Sequence, residues 1–205
     1  MRNESTALDG GFSAPVQDAQ AVFRAVMDAM ARPATIVEIR PPVTPPAPLP
    51  PIIGAIASTL LDADTPIWLD PTLGQSPEVG EWLVFHTGAS FTDQPGEASF
   101  ALIGDGSAFP DLDTFAQGTQ EYPDRSATLV IAIEAFDGGT PLCLRGPGIL
   151  DRATIAPRGL PKDFAEQWEE NTQRFPRGVD LVLATGDSLV CLPRTARLIA
   201  REMEV

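Results

Sequence analysis

Seven of the eleven residues at positions 41–51, PPVTPPAPLPP, are proline. Each fixes φ and lacks a backbone N–H, so the stretch can enter neither a helix interior nor a central strand. It is expected to be a polyproline-like connector extended over the surface, a spacer rather than a ligand for a proline-binding module. Before it, residues 15–31 carry Val16, Ala19, Val22, Phe23, Val26, Met27 and Met30 at helical spacing, with Ser13 as a cap and Pro15 near the first helical position. Pro33 ends that amphipathic helix, and the β-branched character of 35–39, TIVEI, is a strand signal.

After the connector, a helix over 52–61 precedes a short strand at 66–69, and 77–87 is helical with Val79, Trp82, Leu83 and His86 on one face. Apolar strands are expected at 100–103 and 128–133. Gly104-Asp105-Gly106, which follows the first of them, lacks the third glycine of a dinucleotide fingerprint and reads as a turn. Residues 142–144 form a strand running into Arg145-Gly146-Pro147-Gly148, whose glycines and proline specify a tight turn. A helix over 161–175 buries Phe164, Trp168 and Phe175 and leaves Lys162 and its acidic neighbours in water. Strands at 179–183 and 189–192, joined through Thr185-Gly186-Asp187-Ser188, are expected to pair antiparallel. The whole chain, 1–205, reads as one α/β domain with 41–51 as its connector. At this length it can bury roughly 70% of its unfolded surface and needs no covalent staples.

Charge narrows the function. The 28 acidic residues outnumber the 14 basic ones and give −14, which repels phosphate backbones and anionic lipid; neither nucleic acid nor membrane is an expected partner. Cys143 and Cys191 are too few for a disulfide framework and sit in apolar stretches, as thiols of a reducing compartment do. The opening MRNESTALDGG has no apolar signal core, and the longest near-continuous apolar run, 52–61, is half of a membrane span. A soluble, cytoplasmic protein is expected.

Reactive side chains are scarce. His86 is the only histidine and Lys162 the only lysine, which removes any mechanism needing a histidine pair. No Walker sequence occurs, and a zinc site would have to combine Cys143, Cys191 and His86 without the usual paired spacing, so no metal is expected. His86 reads either as a cap on its helix's last carbonyls or as a catalytic group. Ser126 lacks the glycines of a nucleophile elbow, while Glu134 and Asp137 read as a carboxylate pair or as a solvated strand end. No catalytic residue is assigned.

The cations are distributed unevenly. Residues 145–201 carry a net +2 and residues 1–144 a net −14, and nearly all the basic groups are arginine, whose planar fork suits phosphate or carboxylate. These arginines read as contacts for an anionic ligand or acidic partner, or as partners of the chain's own surplus carboxylates. Arg145 and Arg194 stand out because each borders a strand end beside a turn, where Gly146, Gly148 and Thr195 can present backbone amides as well. With His86, these are the candidate anion contacts.

Four ordered segments resemble the PhnH family, the H subunit of the bacterial carbon–phosphorus lyase machinery. They are Pro15-Val16-Gln17-Asp18-Ala19-Gln20 with Phe23 and Met30-Ala31-Arg32-Pro33; Thr65-Pro66-Ile67-Trp68-Leu69 followed by Phe85-His86-Thr87-Gly88; Leu144-Arg145-Gly146-Pro147-Gly148-Ile149; and Phe175-Pro176-Arg177-Gly178-Val179-Asp180-Leu181 with Leu192-Pro193-Arg194-Thr195. The resemblance implies a three-layer α/β/α sandwich with a mixed sheet, similar to pyridoxal-phosphate-dependent transferases but without the cofactor. It also implies a homodimer assembling with the G, I and J subunits. The function it implies is a non-catalytic or accessory one, supporting formation of ribose 1-phosphonate 5-triphosphate from nucleoside triphosphate and alkylphosphonate, so this chain would be a subunit of a transferase and lyase complex, inactive alone. A working pyridoxal enzyme needs a desolvated lysine, and Lys162 opens a helix on its wet face, so no cofactor is expected. The alternative is a free-standing phosphate- or nucleotide-binding transferase or lyase using Arg145 and Arg194.

Overall fold

The computed structural model describes residues 8–199. Along the chain, α1 (Pro15–Ala31), β1 (Val37–Glu38), α2 (Pro51–Leu60), β2 (Ile67–Leu69), α3 (Pro71–Gly74), α4 (Pro77–Thr87), β3 (Phe100–Ile103) and β4 (Thr128–Ala132) are followed by β5 (Leu142–Arg145), β6 (Ala153–Ile155), α5 (Phe164–Gln173), β7 (Asp180–Ala184), β8 (Ser188–Leu192) and β9 (Arg197–Leu198). The architecture is α/β. A six-stranded sheet runs β1-β8-β7-β4-β3-β2, and a small sheet runs β6-β5-β9. Strands β2, β3, β4 and β7 are parallel, whereas β8 returns antiparallel to β7 and carries antiparallel β1 on its far edge. The large sheet is therefore mixed, and the small one is antiparallel throughout.

Side chains alternate across a sheet, and here both faces are buried. Leu102, Val130, Val182 and Cys191 pack with residues of α1, α2 and α4. Ile103, Leu129, Ile131 and Leu183 pack on the other face with Phe164 and Trp168 of α5 and with Leu142, Leu144 and Ile155 of the small sheet. Covering both faces explains why the central strands read as unbroken apolar runs, with VI and LVL at the hearts of β4 and β7. The second covering layer is thus part helix and part strand. Asn171 ties α5 to β7: its Nδ2 donates to the Val179 carbonyl at 3.0 Å and its Oδ1 accepts the Val179 N–H at 2.8 Å.

Three local expectations change. Residues 41–50 have no regular structure, and Pro51 opens α2, but the connector is not laid wholly over the surface: Val43 and Leu49 are buried in the core beside α2, and Pro45 lies against Gly54. An extended chain presents side chains to both sides, so its few apolar residues reach inward between the prolines. Helix α1 keeps its range, but its apolar positions divide: Val22, Val26 and Ala29 are buried, while Val16, Phe23 and Met27 are 70%, 48% and 51% exposed. Seven apolar positions span more of the helix than one packed layer can cover. Its cap is Ala14, not Ser13, with Asp18 accepting the Ala14 N–H at 2.9 Å. Helix α5 begins only at Phe164, so Lys162 belongs to the turn before it, and Phe175 lies beyond its end, half exposed.

Both cysteines are free. Burial pushes the Cys191 thiol far up, and the Asp180 carboxylate adds to the shift, so the nucleophilic thiolate is suppressed. Iodoacetamide on the native protein is expected to modify Cys143, half-buried on β5, and to leave Cys191 untouched until the protein is unfolded; mass spectrometry showing native alkylation at Cys191 would refute this placement.

Candidate functional site

Two of the turns singled out in the sequence meet in space. Strand β5 ends at Arg145, and the Gly146 that follows lies against the turn leading into β9; a Cβ on Gly146 would stand 2.6 Å from the Thr195 carbonyl oxygen. Gly148, at φ +82°, abuts the end of α1, where any Cβ would run into the Ala31 carbonyl. Only glycine meets both demands there, the left-handed backbone and the missing side chain. The Arg145-Gly146-Pro147-Gly148 turn is thereby wedged between α1 and the 193–196 turn. It leaves Arg145 exposed and Leu150 wholly exposed.

Arg145 has an unexpected neighbour. In the β5–β9 register it stands directly opposite Arg197, while Leu144 and Leu198 form the adjacent pair facing the second core. Like charges placed opposite each other across a strand pair repel. Among the described residues neither arginine forms an ion pair, so the two forks are available to an anion. Sequence reasoning counted Arg197 among the cations but could not pair it with Arg145, because β9 is two residues long.

Arg194 is placed differently. Its Nε and its own backbone N–H donate to Asp180 Oδ1 at 3.1 and 2.7 Å, Nη2 pairs with Asp180 Oδ2, and Nη1 donates to the carbonyls of Pro123 at 2.7 Å and Pro176 at 3.4 Å. Both partners are largely buried. The guanidinium is spent inside the molecule, joining the 193–196 turn to the start of β7 and to two proline turns. Of the two readings open for the arginines, Arg194 takes the internal one. Thr195 presents its backbone to Gly146 rather than to an open anion pocket.

His86 is not part of this region. It belongs to α4, on the opposite face of the large sheet, where its Nε2 lies 2.9 Å from the Leu8 carbonyl and its ring packs on Trp82 at 4.4 Å and Phe85 at 5.0 Å. Trp82 Nε1 donates to the Asp9 carbonyl at 2.9 Å, so the pair holds down the segment preceding α1. The last carbonyls of α4 are met by Gly88 and the Thr87 hydroxyl instead. The Ser126 hydroxyl is buried with no hydrogen-bond partner among the described residues, and Glu134 pairs with Arg158 at 2.9 Å rather than with Asp137. Among the described residues no group of three His, Cys, Asp or Glu is placed to hold a metal ion, and no helix is long and apolar enough to cross a membrane.

Three exposed features remain: the arginine pair, the turn after β5 and, on α1, the apolar stripe of Val16, Phe23 and Met27. Residues 10–199 match the family described as bacterial phosphonate metabolism protein (PhnH). The chain belongs to the PhnH family. It is 50% identical over 198 residues to the alpha-D-ribose 1-methylphosphonate 5-triphosphate synthase subunit PhnH of Rhizobium meliloti (strain 1021), covering 97% of this chain and 98% of that protein. It is also 33% identical over 102 residues to HtxG of Stutzerimonas stutzeri, named there as a candidate C-P lyase subunit, covering 50% of this chain and 52% of that one. The PhnH match includes all four segments read from the sequence.

Proposed function

We propose that this PhnH-family chain is an accessory subunit of a carbon–phosphorus lyase system, supporting the synthesis of a ribose 1-phosphonate 5-triphosphate from nucleoside triphosphate and alkylphosphonate, and inactive alone. The observation that carries this reading is the near full-length match, at 50% identity, to a synthase subunit. In this reading the chain acts as a single cytoplasmic domain, homodimeric, and assembles with the G, I and J subunits. The exposed stripe on α1 supports it, since apolar side chains gathered on one exposed helix face suit a protein contact. Arg145 and Arg197 are the contacts we assign to an anionic group brought by a neighbour or ligand, with Gly146 and Gly148 shaping the turn; Arg194 and Thr195 position that turn.

The same proposal takes the fold to be a three-layer α/β/α relative of the pyridoxal-phosphate transferases that has lost its cofactor. The donor set does not fit the cofactor: Lys162 is exposed in the turn before α5 rather than held in a dry pocket. The free-standing transferase or lyase alternative loses support from the internal engagement of Arg194.

The test is co-purification of tagged chain from cells grown on methylphosphonate. The wild type is expected to bring down the other subunits, whereas Phe23→Asp/Met27→Asp, which alters only exposed positions, is expected to lose at least tenfold of them while melting like the wild type. Turnover of substrate by the isolated chain, or undiminished recovery with the double variant, would count against the proposal and against the α1 surface respectively.

A further inference from the structure

One cleft has a lining unlike the rest of this acidic molecule. It opens where the chain leaves β4. There the Glu134 N–H donates to the Arg158 carbonyl and the Arg158 N–H to the Ala135 carbonyl, each at 2.9 Å. The loop after β3 reaches the same point, with the Gly106 N–H on the Ala132 carbonyl at 2.9 Å. The cleft therefore lies beyond the carboxyl ends of parallel strands, where open α/β sheets receive their ligands. Its volume is about 190 Å³, room for a small ligand and no more.

Leu142, Leu160 and Phe164 supply apolar surface, and Arg158 and Lys162 the charge. No carboxylate lines it, in a chain whose acids outnumber its bases two to one. The hollow on the other flank of α5 shows the contrast: Asp111, Asp113, Asp163, Glu166 and Glu170 all line it. Arg158 is steadied by Glu134 through Nε, which leaves its two terminal nitrogens free of the ion pair. Lys162 pairs with no carboxylate among the described residues, and the backbone N–H groups of Gly159, Leu160 and Lys162 find no protein acceptor among them.

We propose that this cleft binds a small organic phosphate or phosphonate. Arg158, Lys162 and the 159–162 amides meet the tetrahedral dianion, and an apolar or aromatic body lies over Leu160 and Phe164. A planar fork, a point charge and several N–H groups suit three oxygens with two charges better than the two oxygens of a carboxylate. The site is separate from the Arg145–Arg197 pair and does not depend on the subunit reading, because it is measured on the isolated chain.

The test is an amide NMR titration of the full chain with phenyl phosphate, phenylphosphonate, inorganic phosphate and phenol. Saturable shifts at Gly159, Leu160 and Lys162 are expected with the first two, weaker ones with inorganic phosphate and none with phenol. Lys162→Glu, at an exposed position that leaves folding intact, is expected to weaken binding roughly tenfold or more, as loss of a charge-assisted contact does. Arg158→Ala should act likewise and Arg145→Ala should have no effect. Absence of saturable shifts, shifts centred elsewhere, equal response to phenol, or unchanged affinity in Lys162→Glu would overturn the proposal. Phenyl phosphate against phenylphosphonate then tells which ester or acid the cleft prefers.

Discussion

Arg194→Ala is expected to destabilise the protein by about 3–5 kcal/mol, the range for removing one member of a buried ion pair. For a domain of this size that lowers the melting temperature by roughly 10 °C. The reason lies in what is left behind. Without the guanidinium, the Asp180 carboxylate keeps only the Arg194 backbone N–H, and the carbonyls of Pro123 and Pro176 lose a shared donor. Asp180→Ala should cost a similar amount by stranding the arginine. Replacing both partners by apolar residues of similar volume should restore part of the loss, since the desolvation of both charges is removed together. Circular-dichroism melts of the two single variants and the double variant test this. If Arg194→Ala melted like the wild type but lost anion affinity, Arg194 would return to the ligand contacts and its structural role would be wrong.

Asp70→Ala is expected to cost about 3 kcal/mol or more, because one buried carboxylate serves three backbone donors. Asp70, 1% exposed, caps α3 by accepting the Leu73 N–H at 2.8 Å through Oδ1. Through Oδ2 it accepts the N–H groups of Gly104 at 2.9 Å and Asp105 at 3.2 Å. The side chain fastens the end of β2 to the loop that follows β3. Truncation leaves all three amides without an acceptor in a place water does not easily reach. Asp70→Asn should cost less, since one carboxamide oxygen still accepts while the amino group faces a donor. Urea unfolding with a lowered midpoint and unchanged slope is the expected record, and a midpoint within experimental scatter of the wild type would exclude this role.

The fold was legible wherever local pattern and burial agree. Helix α4 and strand β3 occupy the expected residues, and the 179–192 stretch forms the expected antiparallel pair, because period and turn chemistry there are strong. Strands β6 and β9 were not legible: three and two residues carry too little periodicity, and their pairing with β5 is decided by tertiary contact. Asp70 was missed because a buried cap looks, in sequence, like any acid before a proline. The division of α1 into buried and bare apolar residues follows from the neighbours available, which sequence does not supply. At the candidate site, the two arginine-bearing turns singled out in the sequence do meet, yet whether each guanidinium faces inward or outward depends on Asp180 and Arg197, residues close in space to Arg194 and Arg145. His86, which in sequence reads as a helix cap or a catalytic group, is packed against the segment preceding α1.

The pairing of β1 with β8 sets Val37 beside Leu189, joining segments far apart along the chain. The largest sheet thus cannot be completed until segments about 150 residues apart have met, a long-range closure that slows folding. Until then α1 has α2 to pack on but no strand β8 beneath it, and part of its inward face stays wet.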